Sequence, residues 1–342
     1  MIRGMLVGTG QIALAGHIPA YIQDRFLSYE VQIIAAVDVC TENLRACAAL
    51  LPGIRVYQTI EEAFSNENVD FIDICAPPYV QTAVIREAAS RGLHILCEKP
   101  IATSLREGLE IQRFLAQHLT VFMPCYQYPF SPLWQAVLKQ VQEGKIGEAR
   151  FVLVEDYRER ADPGSPHWRP GWRQRREIAG GGVLLDIGTH YFHLMHLLFG
   201  PPVAVTARTA CLSHEECDVE DTAVVILEYP TWLVELRLSW VASRRETRLY
   251  LAGTAGSLIF DGTTLRADYG KSQRLWTFSG AMSKSAYPMW YAKLFREFFR
   301  AILDGQLLTK PLDDAINVLR CVEAAYASAS RGQTVMLADF VG

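Results

Sequence analysis

The sequence predicts an α/β chain in two parts: a doubly wound parallel sheet over residues 1–123, then an α+β part over residues 124–342 built on a large, mainly antiparallel open sheet. Three observations carry this. Short Val- and Ile-rich runs alternate with longer helix-spaced segments up to residue 123. Gly8 and Gly10 directly follow the first of those runs. After Pro124 the strand candidates succeed one another without helices between them.

In the first part the strand candidates are Ile2–Val7, Val31–Val37, Val69–Cys75, His94–Cys97 and Thr120–Met123. Their apolar residues stand at successive positions, as in strands covered by helices on both faces. Val80–Arg91 and Leu105–His118 have helical spacing, and the resulting βαβα rhythm argues for a parallel sheet. The second part starts with a helix at Pro132–Gln142 and a strand at Ala149–Tyr157. A loop rich in Pro, Gly, Trp and Arg precedes a helix over about 187–199, which stops at "GPP". Strands at Ala204–Ala210, Thr222–Tyr229, Leu233–Val241, Thr247–Gly253 and Ser257–Asp261 are joined by short turns, an antiparallel signature. Helices Trp290–Leu303 and Asp313–Ser330 close the chain and are free to pack back on the first domain.

Composition narrows the function. Of the 342 residues half are hydrophobic and 20% charged, with a formal net charge of −4, so neither nucleic acid nor an anionic membrane is an expected partner. The 8 cysteines contain no CxxC pair and read as reduced thiols. The apolar start "MIRGMLVG" is too short for a secretory signal, and no uncharged apolar run approaches the roughly 20 residues that span a bilayer. The expectation is a soluble, cytoplasmic protein acting on a small molecule.

"MLVGTGQIA" has the form G-x-G-x-x-A, with Ala13 at the third small position. Glycines there let backbone approach a pyrophosphate seated on a helix N-terminus, although any tight βα turn also uses glycine. Asp38 ends the second strand, where a carboxylate can hold the adenosine ribose and disfavour a 2′-phosphate, or can cap the turn before Thr41. The cofactor expected is NAD rather than NADP. "HILCEKP" places Lys99 at the carboxyl end of a parallel strand, the edge at which open α/β sheets bind ligands; a solvated loop lysine is the alternative.

"GGGVLLDIGTH" raises the same choice. Its glycines permit close backbone approach, and Asp186 and His190 lie one helical turn apart. Asp186 reads either as a site residue or as a helix N-cap, and His190 either as a base or as a histidine at the domain junction. His190, His193 and His196 rotate around the helix over about 9 Å of rise, so they cannot all reach one ion, and no metal is expected.

"CEKPIA" and "GGGVLLDIGTH" together, with the glycine turn, "DICAPP" and the C-terminal "DDAINVLRCVEAAYASASRGQTVML", resemble the Gfo/Idh/MocA family of NAD(P)-dependent sugar and cyclitol oxidoreductases. The resemblance covers nearly the whole chain. It implies that Lys99, Asp186 and His190 meet around a substrate hydroxyl and the nicotinamide. Such chemistry needs a base for the hydroxyl proton, for which histidine, titrating near neutrality, is suited, and a cation for the developing alkoxide. His190 takes the first role and Lys99 the second; Asp186 orients the substrate and Lys99 and balances the charge of Lys99, and the glycines leave room for the ligands. The resemblance also implies cofactor contacts from Gly8, Gly10, Gln11, Ile12, Ala13 and Asp38. Further contacts fall to Ala76, Pro77, Gln81, Glu98, Lys99 and Gln127, while Tyr126, Trp172 and Arg173 join the substrate side. Relatives of this kind are commonly dimers or tetramers, and the open sheet supplies an interface.

The chain departs from the family pattern in three places. Tyr128, Pro129 and Phe130 stand near where the family often has an arginine, Pro78 and Gln81 replace Asn and His, and His193 replaces an acid. Between Tyr157 and Gly180 lie six arginines (158, 160, 169, 173, 175 and 176) and Trp168 and Trp172. Arginine forks suit carboxylate or phosphate, so a substrate with an acidic group is one reading and a solvated or subunit-contact loop the other. Two further functions remain open: a glycosidase of the same fold that oxidises transiently, and a non-enzymatic sugar or dinucleotide sensor.

Overall fold

The computed structural model describes residues 1–212, 218–278, 286–338 and 340. Six strands form a parallel sheet: β1 (Ile2–Val7), β2 (Val31–Val37), β3 (Arg55–Tyr57), β4 (Phe71–Ile74), β5 (His94–Cys97) and β6 (Phe122–Pro124), in the order β3-β2-β1-β4-β5-β6. The order reverses between β1 and β4, which opens a crevice beyond their carboxyl ends. Connecting them are α1 (Ile18–Gln23), α2 (Arg25–Glu30), α3 (Thr41–Leu50), α4 (Ile60–Asn66), α5 (Pro78–Ser90) and α6 (Leu105–Leu115). Local chemistry sets their starts. Pro78 sits in the first turn of α5, and the Ser104 hydroxyl accepts the Glu107 N–H at 3.2 Å to cap α6.

The chain then forms α7 (Pro132–Gln142), β7 (Ala149–Tyr157), the short α8 (Arg176–Ala179) and α9 (Thr189–Phe199). Strands β8 (Ala204–Ala210), β9 (Thr222–Glu228), β10 (Leu233–Ser239), β11 (Glu246–Gly253) and β12 (Ser257–Phe260) follow. Next come β13 (Thr264–Tyr269), β14 (Ser272–Thr277), α10 (Tyr287–Leu303), α11 (Lys310–Arg331) and β15 (Val335–Met336). The nine-stranded sheet runs β14-β13-β12-β11-β7-β10-β9-β8-β15, antiparallel except for the central β7–β10 pair. Val152, Val154, Val225, Leu236 and Leu251 alternate inward along it, the period-2 pattern of a sheet with one covered face. The final helices return to the first sheet: Tyr21 stacks on Phe295 of α10 at 4.9 Å, and Phe71 meets Phe299 edge-on at 4.9 Å.

The differences from expectation have plain causes. β3 has three residues, two of them exposed, so no apolar run announces it. β13 and β14 carry Arg266, Asp268 and Arg274 near the sheet edge, where charge discourages stray pairing and hides the strand signal. Strand β6 begins at Phe122, two residues later than its apolar pattern suggested. Seven cysteines are described and all are free; Cys217 lies outside the described residues. Among the described residues no helix is long and apolar enough to cross a membrane.

Candidate active site

The turn after β1 is built around Gly8 (φ +90°): a Cβ there would lie 2.7 Å from the Ala76 backbone nitrogen, so only glycine lets the ends of β1 and β4 approach. Gly10 faces open space, and Gln11 and Ile12 begin the next helical turn, leaving N–H groups directed at the crevice mouth. Asp38 accepts from Thr9 N at 2.7 Å, Thr9 Oγ1 at 3.0 Å, Cys40 N at 2.8 Å and Asn43 Nδ2 at 3.4 Å. It therefore organises its own turn, as the capping alternative requires.

The second half of the site follows Gly180–Gly182. The sequence suggested that these glycines leave room for ligands; Gly181 lines the cleft described below, and the close neighbours of all three are protein groups. A Cβ on Gly182 would lie 1.8 Å from the Glu220 carbonyl oxygen, on Gly181 2.1 Å from the Tyr326 hydroxyl, and on Gly180 2.8 Å from Thr103. The buried Glu220 carboxylate accepts the N–H groups of Gly182 and Leu184 and the Tyr326 hydroxyl, satisfying the donors at the start of the turn. That turn, Leu184–Gly188, is π-helical and runs into α9. Asp186 lies inside it, its N–H bonded to Gly182 O, and is therefore not an N-cap.

This wound segment brings Asp186 to Lys99. Lys99 Nζ donates to the Asp186 carbonyl at 2.6 Å and to Oδ1 at 3.2 Å, across 87 residues of sequence. Arg173 Nε lies 3.7 Å from the same Oδ1. Burial opposes ionisation of Asp186, but Lys99 and Arg173 override it and hold the carboxyl below its usual range. His190 follows one turn later, buried, its ring stacked on Tyr128 with centroids 3.8 Å apart and planes parallel. Burial first, then the charges of Lys99, His193 and Arg158, push its pKa well below 6.5. The sequence placed its titration near neutrality; the folded environment moves it down and keeps the ring neutral. His190 Nδ1 has no hydrogen-bond partner among the described residues.

A single cleft of about 420 Å³ joins these groups. Gln11, Ile12, Ala76, Gln81, Glu98 and Lys99 line it from the first domain, and Gln127, Trp172, Arg173, Asp186 and His190 from the second. Gly8, Gly10, Ala13, Asp38 and Pro77 lie outside its lining, as does Tyr126. Tyr126 is buried and stacks on His193 at 4.3 Å, so its neighbour-but-one Tyr128 faces the cleft in its stead. Gln81 Nε2 donates to Ala76 O and Glu98 O, while its Oε1 and that of Gln127 have no partner among the described residues. Two acceptor oxygens waiting in a crevice that begins at a glycine turn fit an amide-bearing dinucleotide such as a nicotinamide cofactor. The arginine loop crosses to the first domain, where Ser165 Oγ donates to Asn43 Oδ1 at 2.5 Å and Cys40 Sγ to His167 O at 3.5 Å.

Behind Glu98 lies a cluster the sequence did not announce. His17 Nδ1 bonds Asp73 Oδ2 at 2.9 Å and Nε2 bonds Glu98 Oε1 at 3.0 Å. Tyr21 donates to Asp73, and Tyr291 to Glu98. Burial alone would lower the His17 pKa, but the two carboxylates outweigh it and raise it to about 9. Cys75 and Cys125 complete two groupings around His17 close enough for a metal. Both ring nitrogens are engaged by the Asp73 and Glu98 carboxylates. The signal for this cluster was a histidine and two acids inside otherwise apolar segments.

Fold and cleft together define the class: an NAD(P)-binding oxidoreductase. Residues 2–126 match the family model described as an oxidoreductase family with an NAD-binding Rossmann fold, and residues 134–259 that described as a GFO/IDH/MocA C-terminal domain. The chain belongs to the Gfo/Idh/MocA family. An uncharacterised oxidoreductase of Synechocystis is 28% identical over 77% of this chain and 72% of its own. D-xylose 1-dehydrogenase (NADP(+)) 2 of Haloferax volcanii is 25% identical over 98% of this chain and 100% of its own. Levoglucosan dehydrogenase in complex with NADH and levoglucosan shares the fold, with a TM-score of 0.84 or better at 20% identity, over 98% of this chain and 99% of its own.

Proposed function

We propose that the chain oxidises a secondary hydroxyl of a sugar, cyclitol or related compound, with Lys99, Asp186 and His190 at the reacting carbon. The observation that carries the reading is the Lys99–Asp186 contact beside a neutral His190, in the same cleft as the dinucleotide turn. When bound, the nicotinamide supplies the hydride acceptor. Lys99 donates to the substrate oxygen and stabilises it as negative charge develops. His190 takes the hydroxyl proton, and its parallel contact with Tyr128 fixes the plane from which it does so. Asp186, itself facing Arg173, holds Lys99 in place. The carboxylate of Asp38 at the end of β2 favours NAD over NADP, although the Haloferax relative carries NADP in its name. The outer face of the nine-stranded sheet, with Leu233 and Tyr250 exposed, is the proposed contact between subunits of a homo-oligomer.

The test is NADH or NADPH formation from cyclitols, aldoses and sugar acids. Turnover that falls by about 10³-fold or more in Lys99→Met is expected. Glycoside cleavage without net NADH would move the reading to transient oxidation. Dinucleotide binding with neither reaction would make the chain a sensor.

A further inference from the structure

Arg158 directly follows β7 and is pinned at both ends of its backbone: its N–H donates to Ser239 O at 2.8 Å, and its carbonyl accepts Ala242 N–H at 2.9 Å. Its side chain is nine-tenths buried and lines the cleft. Nη2 donates to Asp156 Oδ2 at 2.7 Å, and the Tyr191 hydroxyl donates to that same oxygen. Nη1 is buried and has no hydrogen-bond partner among the described residues. A guanidinium nitrogen held in this way leaves a charged donor unsatisfied, a costly state unless a ligand supplies the acceptor.

Most acids nearby are already engaged, the exception being Asp156 Oδ1, which is buried and has no hydrogen-bond partner among the described residues. Asp186 serves Lys99 and Arg173, Asp162 lies 4.0 Å from Arg173, and Asp156 faces the other arm of Arg158. Glu159 is exposed at the rim. Arg245 lines the same corner, together with Trp240, Tyr128 and Tyr287. The charge of Asp156 interacts with both guanidinium groups there. The corner is also close to the chemistry. Tyr128, the ring stacked on His190, feels the charge of both Arg158 and Arg245, and Arg158 and His190 line the same cleft.

We propose that Arg158 anchors a carboxylate or phosphate on the substrate, so that the molecule oxidised at Lys99 and His190 is a sugar acid or sugar phosphate rather than a neutral sugar. The anchor rests on the dehydrogenase reading for its reaction but not for its binding. A planar fork suits either anion, and Nη1 supplies the arm that Asp156 leaves over.

The experiment compares matched substrates that differ only in the anionic group: a hexose, its uronic acid and its 6-phosphate, each with NAD⁺. The wild type is expected to prefer one anionic member by on the order of 100-fold in kcat/KM. Arg158→Gln should collapse that ratio toward one, chiefly through KM. A purely structural Arg158 would lower all members in proportion and leave the ratio unchanged, which overturns the proposal, as does a wild-type preference for the neutral sugar. Preference between the uronic acid and the phosphate distinguishes the two anions. If Arg158→Gln does not fold, Arg158→Lys keeps a charge beside Asp156 but lacks the second arm, and the same ratio is read. If no member is turned over, the dehydrogenase reading fails by itself. Calorimetric binding of the uronate and phosphate to the NAD⁺ complex then decides the anchor: binding weakened in the Arg158 variant supports it, and no binding to the wild type overturns it.

Discussion

Two buried polar clusters meet at the Glu98–Lys99 step, and they differ in how completely each is satisfied. In the first, His17, Asp73, Glu98, Tyr21 and Tyr291 answer one another, and both nitrogens of the protonated imidazole are used. In the second, His190 Nδ1, Arg158 Nη1 and the amide oxygens of Gln81 and Gln127 are buried without partners among the described residues around one cleft. Burial is the same; the accounting is not. A closed network rigidifies the protein around it, whereas open valences persist where a ligand completes them.

The comparison can be broken most severely at His17. His17→Asn removes a buried cation from between two carboxylates and should cost about 3–5 kcal/mol in denaturant unfolding. It also has a pH signature. The folded pKa of about 9 lies above the unfolded value of 6.5, so the stabilisation is fully present below pH 6.5 and is lost as pH rises toward 9. The gap in stability between wild type and His17→Asn should therefore shrink by about 3 kcal/mol across that window. A gap independent of pH would show that His17 is not an imidazolium in the folded protein.

Gly182→Ala tests the scaffold that presents the open cluster. Its Cβ would meet the Glu220 carbonyl, a backbone atom that cannot swing aside. We expect a loss of about 1–3 kcal/mol. Because the shift is transmitted to the Lys99–Asp186 contact, kcat should fall more than dinucleotide affinity, measured by fluorescence titration. Equal losses in both would mean that the glycines serve folding alone.

The smallest effect is an absence of one. Because His190 is held neutral, initial-rate kcat/KM for oxidation should show no inflection near pH 6.5 and should fall only at much lower pH. The corresponding stability term has the opposite sign to that of His17: below pH 6.5 the unfolded chain takes up a proton that folded His190 refuses, so stability falls with pH. An acidic limb near 6.5 that disappears in His190→Asn would place the base in ordinary solvent.

The first sheet was legible almost strand by strand, because strands covered on both faces read as continuous apolar runs; only the three-residue β3 lacked one. Lys99, Asp186 and His190 were legible as types and by resemblance, and the fold brings them to one cleft. Tyr126 was the reasonable choice from sequence, yet Tyr128 lies on His190, since the short 3₁₀ turn Tyr128–Phe130 rotates one ring toward the cleft and leaves the other against His193. Arg158 was one of six arginines in a loop, with nothing local to mark it as the buried one.

The sequence by itself determined the periodicities, the glycine turn at Gly8, and the residue types available at the carboxyl ends of the strands, because these depend on neighbours within a few positions. The tertiary structure decided which charges pair. His17 reaches Glu98 across 81 residues and Lys99 reaches Asp186 across 87. Two buried carboxylates then outweigh desolvation at His17 and keep it a cation up to about pH 9, whereas desolvation without such partners leaves His190 a neutral base. That difference arises from long-range contacts and burial, which no short stretch of sequence encodes.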